Sequence, residues 1–517
     1  MRPVHVASLF VFLVSVLVVG QSKSVLAVHA THGLPADHKA AAQHPEEVVP
    51  GPVPPANFRT AVLYSSGGVT ADAIVAIDVN GDGKPDVVVA NQCIDSQSCA
   101  HGVVGVLLNN GDGTFAPALA FSSGGFAPGS VAVADVNGDG KLDVVVENTC
   151  VTSTNCAAGS VGVLLGNGDG TFRKAVTYGL DGAGAAVAVS DINRDGKLDL
   201  AVATNNGLDV LLGNGDGTFQ TAVLHSTDGS AVSIAVGDLN HDGNPDVVVD
   251  NPAGGARGDG SVSVLLGNGD GTFQPLAIYD SFGFNPNTLA IADMNHNGFP
   301  DILVANALGR VNQTAGSVGL LFNNGDGTFP QGNPVNIGGI AAHGLAVGDV
   351  NGDGNPDIVV GENGNVSVVL TGDQIRHHGA GQPLAIAIAD VDGDGQPDIL
   401  AATKCVDFQC ATGGVAVLIS KPEPTKTTVT TSGSPSQSGQ AVTFTATITS
   451  KRGLVANGQT ITFLDGTKPI GTGTTANGVA TFTTSSLDAK THTIKAEFAG
   501  YPFFKASSGA VKQVVNP

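Results

Sequence analysis

Seven copies of a nine-residue pattern, D-x-[N/D]-x-[D/N]-G-x-x-D, recur between residues 78 and 398. Oxygen-bearing side chains at positions 1, 3, 5 and 9, with a backbone carbonyl at position 7, form the donor set that a hard cation such as Ca²⁺ requires. The pattern therefore predicts seven structural calcium sites, named loops 1 to 7 in chain order. The predicted ligands, loop by loop, are Asp78, Asn80, Asp82, Lys84, Asp86; Asp135, Asn137, Asp139, Lys141, Asp143; Asp191, Asn193, Asp195, Lys197, Asp199; Asp238, Asn240, Asp242, Asn244, Asp246; Asp293, Asn295, Asn297, Phe299, Asp301; Asp349, Asn351, Asp353, Asn355, Asp357; and Asp390, Asp392, Asp394, Gln396, Asp398.

Carboxylate number differs between the loops and predicts an order of affinity. Loop 5 has two carboxylates because Asn297 replaces an aspartate, whereas loop 7 has four because Asp392 replaces an asparagine. We expect loop 7 to bind calcium most tightly and loop 5 least tightly. A full shell of protein ligands leaves little room for the open position that metal catalysis needs, so a structural role is predicted.

All six cysteines fall in close pairs around polar loops. Local disulfides in an oxidising compartment are the simplest interpretation, and a zinc site built from several pairs is the alternative. The zinc alternative has few histidine partners, since only His101 lies beside a pair. The predicted disulfides are Cys93–Cys99, Cys150–Cys156 and Cys405–Cys410.

The N-terminus is typical of an exported protein. Arg2 precedes an apolar run over residues 6–19, and small residues follow near residue 30, so residues 1–30 are predicted to be a signal peptide. An uncleaved anchor is the alternative. Residues 31–56 are a Pro/Ala-rich spacer, and the predicted localisation is secreted or cell-surface.

The charge distribution argues against nucleic acid as a partner. The formal net charge is −22, and residues 57–420 carry eleven basic against thirty-eight acidic side chains. An acidic body of this kind repels phosphate backbones. The seven loops alone supply 21 of those acidic residues, so most of the negative charge is metal-ligand chemistry.

Apolar runs around each acidic loop define a repeating unit. A small apolar run precedes the loop, a β-branched run follows it, and most units add an alternating strand, N-G-D-G-T-F and a further strand. The N-G-D-G element predicts a hairpin turn. A four-stranded unit that recurs along the chain in seven copies predicts a β-propeller. The seventh unit stops after three strands, so the strand beside Phe58 and Tyr64 is expected to close the ring.

On these motifs the chain resembles the FG-GAP/VCBS repeat class, found in integrin α heads and in many secreted bacterial proteins. The resemblance covers residues 57–420 and implies a seven-bladed propeller with calcium between the first two strands of each blade. Residues 421–427 are predicted to be a linker. Residues 428–517 resemble bacterial Ig-like domains, notably in G-Q-x-V-T-F-T-A-T, and an all-β sandwich is expected there.

The topology of the predicted propeller places the predicted calcium loops on one face and the cysteine loops on the other. The cysteine loops belong to blades 7, 1 and 2, which are neighbours in the closed ring, and integrin-type propellers use that face for ligands. Pinning of long loops against proteases is an equally strong interpretation. The predicted recognition patch comprises Asp95, Gln97, His101, Thr152, Thr154, Asp407 and Gln409.

Two function classes follow. We favour a calcium-stabilised, non-enzymatic binding or adhesion protein that recognises an extracellular protein or glycan as a monomer, without a membrane span after signal cleavage. The alternative is a lectin or a carbohydrate-active enzyme of the polysaccharide lyase type, although the sequence shows no catalytic constellation and no Trp. An R-G-D tripeptide at Arg257 to Asp259 matches an integrin ligand motif, but it carries little weight because a chain so rich in Gly and Asp can contain it by chance.

Overall fold

The computed structural model describes residues 58–94, 101–152, 156–310, 315–370, 374–405, 412–450, 453–454, 458–500 and 504–517, together with the two-residue strand Leu17–Val18. These segments consist of strands joined by turns, bends and irregular stretches, and none of them contains a helix. Accordingly, no helix in this part of the chain has the length and apolarity needed to cross a membrane. Apart from Leu17–Val18, the predicted signal peptide and spacer lie outside the described residues.

Seven antiparallel sheets form the propeller blades: blades 1 to 6 each contain four consecutive strands, and blade 7 contains three consecutive strands and Val62–Ser65. In blade 4, Leu17–Val18 adds a fifth strand beside Ser233–Gly237. From the innermost strand outwards the blades are Val69–Ile77, Asp86–Cys93, Val103–Leu107, Leu119–Ser122; Phe126–Ala134, Asp143–Cys150, Ser160–Leu164, Val176–Gly179; Gly184–Ser190, Asp199–Thr204, Gly207–Leu211, Val223–His225; Ser233–Gly237, Asp246–Asn251, Ser261–Leu265, Ala277–Asp280; Gly283–Ala292, Asp301–Gly309, Ser317–Phe322, Gln331–Asn336; Leu345–Gly348, Asp357–Glu362, Asn365–Leu370, Gln374–Gly379; and Pro383–Ala389, Asp398–Thr403, Gly414–Leu418, Val62–Ser65.

Burial explains the strand sequences. The second and third strands lie between neighbouring blades on both faces, and they read as continuous apolar runs such as Val87–Val89. The fourth strands are short and largely exposed, as in Val176–Gly179, which limits their use as templates for edge pairing. The hydrophobic core therefore lies between successive blades and runs around the ring.

The ring closes because a strand from the start of the propeller pairs with a strand from its end. Val62–Ser65 pairs antiparallel with Gly414–Leu418, with Tyr64 opposite Val415. Phe58 adds an isolated bridge to Ser420. Blade 7 is thus completed by a strand that precedes the other propeller strands in sequence, so closing the ring requires contacts between its two ends.

Aromatic pairs join most neighbouring blades. At five junctions a ring on the fourth strand meets, edge to face, the Phe of the N-G-D-G-T-F turn in the next blade, at centroid distances of 5.0 to 5.6 Å. At the junction of blades 6 and 7, His378 takes the aromatic position and packs against Phe58 at 5.1 Å. The remaining pairs are Tyr64–Phe115, Phe121–Phe172, Tyr178–Phe219, His225–Phe273 and Tyr279–Phe329.

The C-terminal unit is a sandwich of two sheets around its own core, which includes Phe444 and Phe463. Its first strand begins at Thr425, so the last residues of the predicted linker already belong to a sheet. The predicted all-β fold class, a propeller followed by an Ig-like sandwich, is confirmed. The strands are Thr425–Thr431, Val442–Ser450, Gly453–Leu454 and Val479–Thr484 in one sheet, and Ser436–Gln437, Ser507–Asn516, Thr491–Phe498, Thr460–Asp465 and Lys468–Thr474 in the other.

Replacing Tyr64 by Ala should destabilise the closed ring. The substitution removes the edge-to-face contact with Phe115 at the seam where the two chain ends meet, and loss of such a ring costs about 2 kcal/mol. Calorimetry should show a lower melting temperature for Tyr64→Ala. Val62→Ala, on the same strand but more than half exposed, is the matched control. Equal melting temperatures for the two variants would contradict this role for Tyr64.

Candidate metal centres and the opposite face

Each acidic loop joins the first and second strands of a blade. Position 9 is the first residue of the second strand, as Asp86 and Asp398 show. Glycines at position 6 adopt positive φ in all seven loops, for example 84° at Gly83, a conformation that residues with a Cβ rarely adopt. The structure therefore gives all seven predicted ligand sets the same backbone path.

Backbone amides hold the first carboxylate in place. In loop 1, Asp78 Oδ1 accepts from the amides of Gly81 and Asp82 at 2.7 and 3.1 Å, and Oδ2 accepts from Gly83 at 2.7 Å. The side chains at positions 3 and 5 accept from the amides two residues further on, at 2.8 Å for Asn80 and 3.0 Å for Asp82. Oxygen atoms are thus gathered on the inside of a tight turn.

The aspartate at position 9 connects the loop to the neighbouring hairpin. Asp86 is fully buried, and its oxygens accept from the amide of Val79 at 3.2 Å and from that of Asn109 at 2.8 Å. The same two-sided contact recurs at Asp143, Asp199, Asp246, Asp301 and Asp398. These carboxylates therefore fix the position of the loop against the hairpin as well as adding to the predicted ligand set.

Burial raises the pKa of these aspartates. The pKa reaches about 6 at Asp86, Asp199 and Asp246 and about 7 at Asp398, because desolvation disfavours the charged form. Neighbouring loop carboxylates raise the pKa further, and backbone amides oppose the shift. A bound cation would favour the charged form, so the loops are electrostatically suited to holding one.

Loop 7 gives the clearest fit to a cation. Oxygens of Asp390, Asp392 and Asp398 lie within 4.8 Å of one another, a spacing that oxygens sharing one Ca²⁺ can adopt. In the other loops an asparagine stands at position 3, so fewer carboxylates meet. The geometry is compatible with the predicted order of affinity, which stays a prediction.

The opposite end of the blades carries the cysteine loops. The predicted disulfide Cys150–Cys156 is confirmed, and Cys93 and Cys405 are also disulfide-bonded. Within the recognition patch, Thr152 is exposed and His101 half-buried, both at this end. The predicted partners Cys99 and Cys410 and the patch residues Asp95, Gln97, Thr154, Asp407 and Gln409 lie outside the described residues.

Arg310, which the sequence did not indicate, contacts the aspartate of the R-G-D segment. Arg310 of blade 5 makes a two-pronged contact with Asp280, at 2.7 and 2.8 Å, and contacts Asp259 at 2.8 Å. The Asp259 side chain is only 11% exposed. Because its carboxylate is engaged within the protein, the tripeptide is poorly placed to bind a partner. A lone arginine at a strand end gives no sequence signal of this contact.

Arg310→Ala should loosen the loop that carries Arg257. Loss of the guanidinium removes both the fork to Asp280 and the single contact to Asp259. Trypsin should then cleave after the exposed Arg257 faster than in the wild type. Arg310→Lys should give an intermediate rate, because lysine keeps the charge but not the fork. Arg173→Ala, an exposed arginine of blade 2, is the control. An unchanged cleavage rate in Arg310→Ala would show that the ion pair does not hold the loop.

A second residue missed by the sequence analysis is Asp250, fully buried in the second strand of blade 4. Burial raises the pKa of Asp250 to about 8 from its ordinary 3.8. The unfolded chain loses this proton near pH 4, whereas the folded protein retains it up to about pH 8. Stability attributable to Asp250 is therefore greatest in acid and is lost as the pH rises through this window. Four other blades have Ala at the equivalent position: Ala90, Ala203, Ala305 and Ala402.

Asp250→Ala should consequently stabilise the propeller at alkaline pH. The gain in melting temperature over the wild type should grow from about pH 4 to about pH 8 and then level off. Asp250→Asn, which keeps the shape but cannot ionise, should follow the same pH trend. Melting curves across this range test the idea. A difference between wild type and variants that is independent of pH would exclude an ionisation effect.

Comparison with known proteins adds family and fold information. A model of the FG-GAP-like repeat matches residues 78–146, 151–202, 191–249, 254–304 and 307–360, together more than half of the chain. A model of the bacterial Ig-like domain (group 3) matches residues 429–516. No curated protein matches the sequence.

Among solved structures, similar chains include a lectin from Agrocybe aegerita that recognises non-reducing terminal N-acetylglucosamine, with 21% identity and a TM-score of 0.43 over 64% of this chain and 92% of the lectin. The extracellular domain of a putative hybrid two-component system from B. thetaiotaomicron has 8% identity and a TM-score of 0.41, over 89% of this chain and 59% of that domain. A structure described as NanB plus Optactamide has 10% identity and a TM-score of 0.36, over 72% of this chain and 70% of NanB. Similarities this low do not indicate a ligand.

Proposed function

The chain belongs to the FG-GAP-like repeat family, and from this premise we propose that it is a secreted, calcium-stabilised binding protein without catalytic activity. It recognises an extracellular protein or glycan through the face opposite its acidic loops. The repeats and the propeller fold fit a binding or carbohydrate-related role. Calcium, export and the place of recognition are the additional elements of the proposal.

The observation that carries the calcium assignment is the common loop geometry. Backbone amides orient the first carboxylate in every loop, and a buried aspartate ends each loop. Carboxylates brought this close repel one another, and a divalent cation would remove that repulsion. Oxygen donors alone favour Ca²⁺ over the softer transition metals. Bound calcium would supply charge neutralisation, and the residues themselves supply the orientation.

Because we assign the acidic loops a structural role, we expect ligand recognition at the other end of the blades. The Cys150–Cys156 disulfide pins one loop there, and a pinned loop loses less conformational entropy when it binds a partner. Thr152 is exposed beside this disulfide. The acidic body disfavours nucleic acid. We therefore place recognition on the patch around the cysteine loops, in a monomer exported by its N-terminal segment and without a membrane span after cleavage.

Binding arrays test this function. Calcium-loaded and chelator-treated protein would be applied to glycans and to extracellular proteins, and soluble polysaccharides would be assayed for product release. We expect selective, calcium-dependent binding and no product. Thr152→Arg and His101→Glu should weaken binding, whereas Thr221→Arg, exposed on blade 3, should not. Product release would establish an enzyme instead, and equal loss of binding in all three variants would place recognition elsewhere.

A further inference from the structure

Position 4 of the acidic loops divides them into two groups. Loops 1, 2, 6 and 7 have glycine there, whereas the consecutive loops 3, 4 and 5 have Arg194, His241 and His296. All seven residues adopt positive φ, and the three non-glycine residues lie at 56° to 57°. Residues with a Cβ are strained in this conformation and persist in it where other contacts compensate. The glycines at position 4 are Gly81, Gly138, Gly352 and Gly393.

Each of the three side chains contacts the next loop at position 7. Arg194 donates from Nη1 to Asn244 Oδ1 at 3.1 Å. The His241 ring packs against the Phe299 ring, with centroids 4.6 Å apart and planes inclined by 33°. His296 Nε2 and Asn355 Oδ1 lie 3.1 Å apart. These contacts link loops 3, 4, 5 and 6 in series.

The contacted residues at position 7 support the predicted metal shell. Their carbonyls are predicted ligands, and their amides donate to the side chain at position 5, at 2.8 Å for Asn244 and 2.9 Å for Phe299. The Phe299 ring also lies against Gly325, in the turn that joins the outer strands of the same blade. A side chain that fixes position 7 therefore fixes part of the next loop's coordination geometry.

Loops 3, 4 and 5 also lack a local hydrogen bond that the glycine loops have. In loops 1, 2, 6 and 7 the amide at position 4 donates to the first carboxylate, at 2.6 to 2.8 Å. In loops 3 to 5 this carboxylate accepts from positions 5 and 6, as Asp238 does from Asp242 and Gly243. The first carboxylate of these three loops therefore accepts one hydrogen bond fewer than in the glycine loops, and each loop has an added contact to a neighbour.

We propose that the side chains at position 4 couple calcium binding in loops 3 to 6, whereas loops 7, 1 and 2, which have glycine at this position, lack this coupling. This inference rests on the proposed calcium-binding function. Calcium in loop 4 orders the backbone that carries His241, and the ordered imidazole holds Phe299 in position for loop 5. Because the entropy of ordering is then already lost, the next ion binds more tightly. The effect is reciprocal, so loop 5 also strengthens loop 4.

Loop 5 should show the coupling most clearly. It has only two carboxylates, and it contacts loop 4 through Phe299 and loop 6 through His296. Its affinity for calcium therefore depends more on its neighbours than that of any other loop. The weakest predicted site lies in the middle of the coupled unit.

The absence of tryptophan allows each loop to be followed separately. Phe299→Trp places a single indole at position 7 of loop 5, where it should sensitise Tb³⁺ luminescence. Lys84→Trp does the same in loop 1, whose preceding loop 7 has Gly393 at position 4. Full-length protein carrying one reporter would be titrated with Tb³⁺ and excited where only tryptophan absorbs. Each affinity is then compared within its own reporter background.

Disabling the preceding loop measures the coupling. With the loop 5 reporter, Asp238→Asn in loop 4 should weaken Tb³⁺ binding roughly two- to tenfold, the range expected from a ring contact. With the loop 1 reporter, Asp390→Asn in loop 7 should change the affinity less than about twofold. Asp390→Asn removes one negative charge from the loop before the reporter, just as Asp238→Asn does. It therefore measures the part of the change in affinity that comes from the lost charge alone. An equal effect in both pairs would overturn the inference.

Substitutions of His241 distinguish coupling from backbone strain. In the loop 5 reporter, His241→Gly should reproduce the loss caused by Asp238→Asn, whereas His241→Tyr, which retains a ring, should preserve the affinity. If His241 mattered only through its strained φ, glycine would leave the affinity unchanged or improve it, and the inference would be wrong. Absence of Tb³⁺ luminescence from both reporters would instead overturn the proposed calcium function, and with it this inference.

Discussion

A buried aspartate at the start of each second strand connects the parts of a blade. Asp86 accepts one hydrogen bond from its own loop and one from the hairpin of the outer strands, so loop, inner strands and outer strands share one carboxylate. The cost of burying this group appears in its raised pKa. Metal binding would offset that cost by favouring the charged form. Fold and predicted metal chemistry thus depend on the same atoms.

Edge-to-face aromatic contacts recur at the junctions between blades. The ring of a fourth strand meets the turn phenylalanine of the next blade, and His225 and His378 take the place of tyrosine or phenylalanine at two junctions. Closure of the propeller relies on the same contact, since Tyr64 belongs to the strand that completes blade 7. The same aromatic contact therefore joins consecutive blades along the chain and joins blade 7 to blade 1 where the ring closes.

Short-range patterns allowed much of this architecture to be predicted from the sequence. The seven acidic loops and the N-G-D-G turns fix strand order because their side-chain and backbone requirements are local. Contacts between blades could not be predicted in the same way. Arg310 meets Asp259 across 51 residues, and His241 meets Phe299 across 58, so neither pair shares a local pattern. Asp250 follows an apolar run near the end of a strand, where an aspartate is usually exposed. Its complete burial is visible only in the packed structure. At position 4, the change from glycine to Arg194, His241 and His296 is visible in the sequence, but its meaning requires the positive φ and the neighbouring loop.

We propose a structural role for the face that carries loops 1 to 7 and a binding role for the face that carries the cysteine loops. Anomalous diffraction from crystals grown with calcium tests the first half most directly, because it locates each ion without altering a residue. The account predicts an ion in all seven loops, bound by the side chains at positions 1, 3, 5 and 9 and the carbonyl at position 7, with highest occupancy in loop 7. Loops that stay free of calcium at saturating concentration while keeping the same backbone would contradict it.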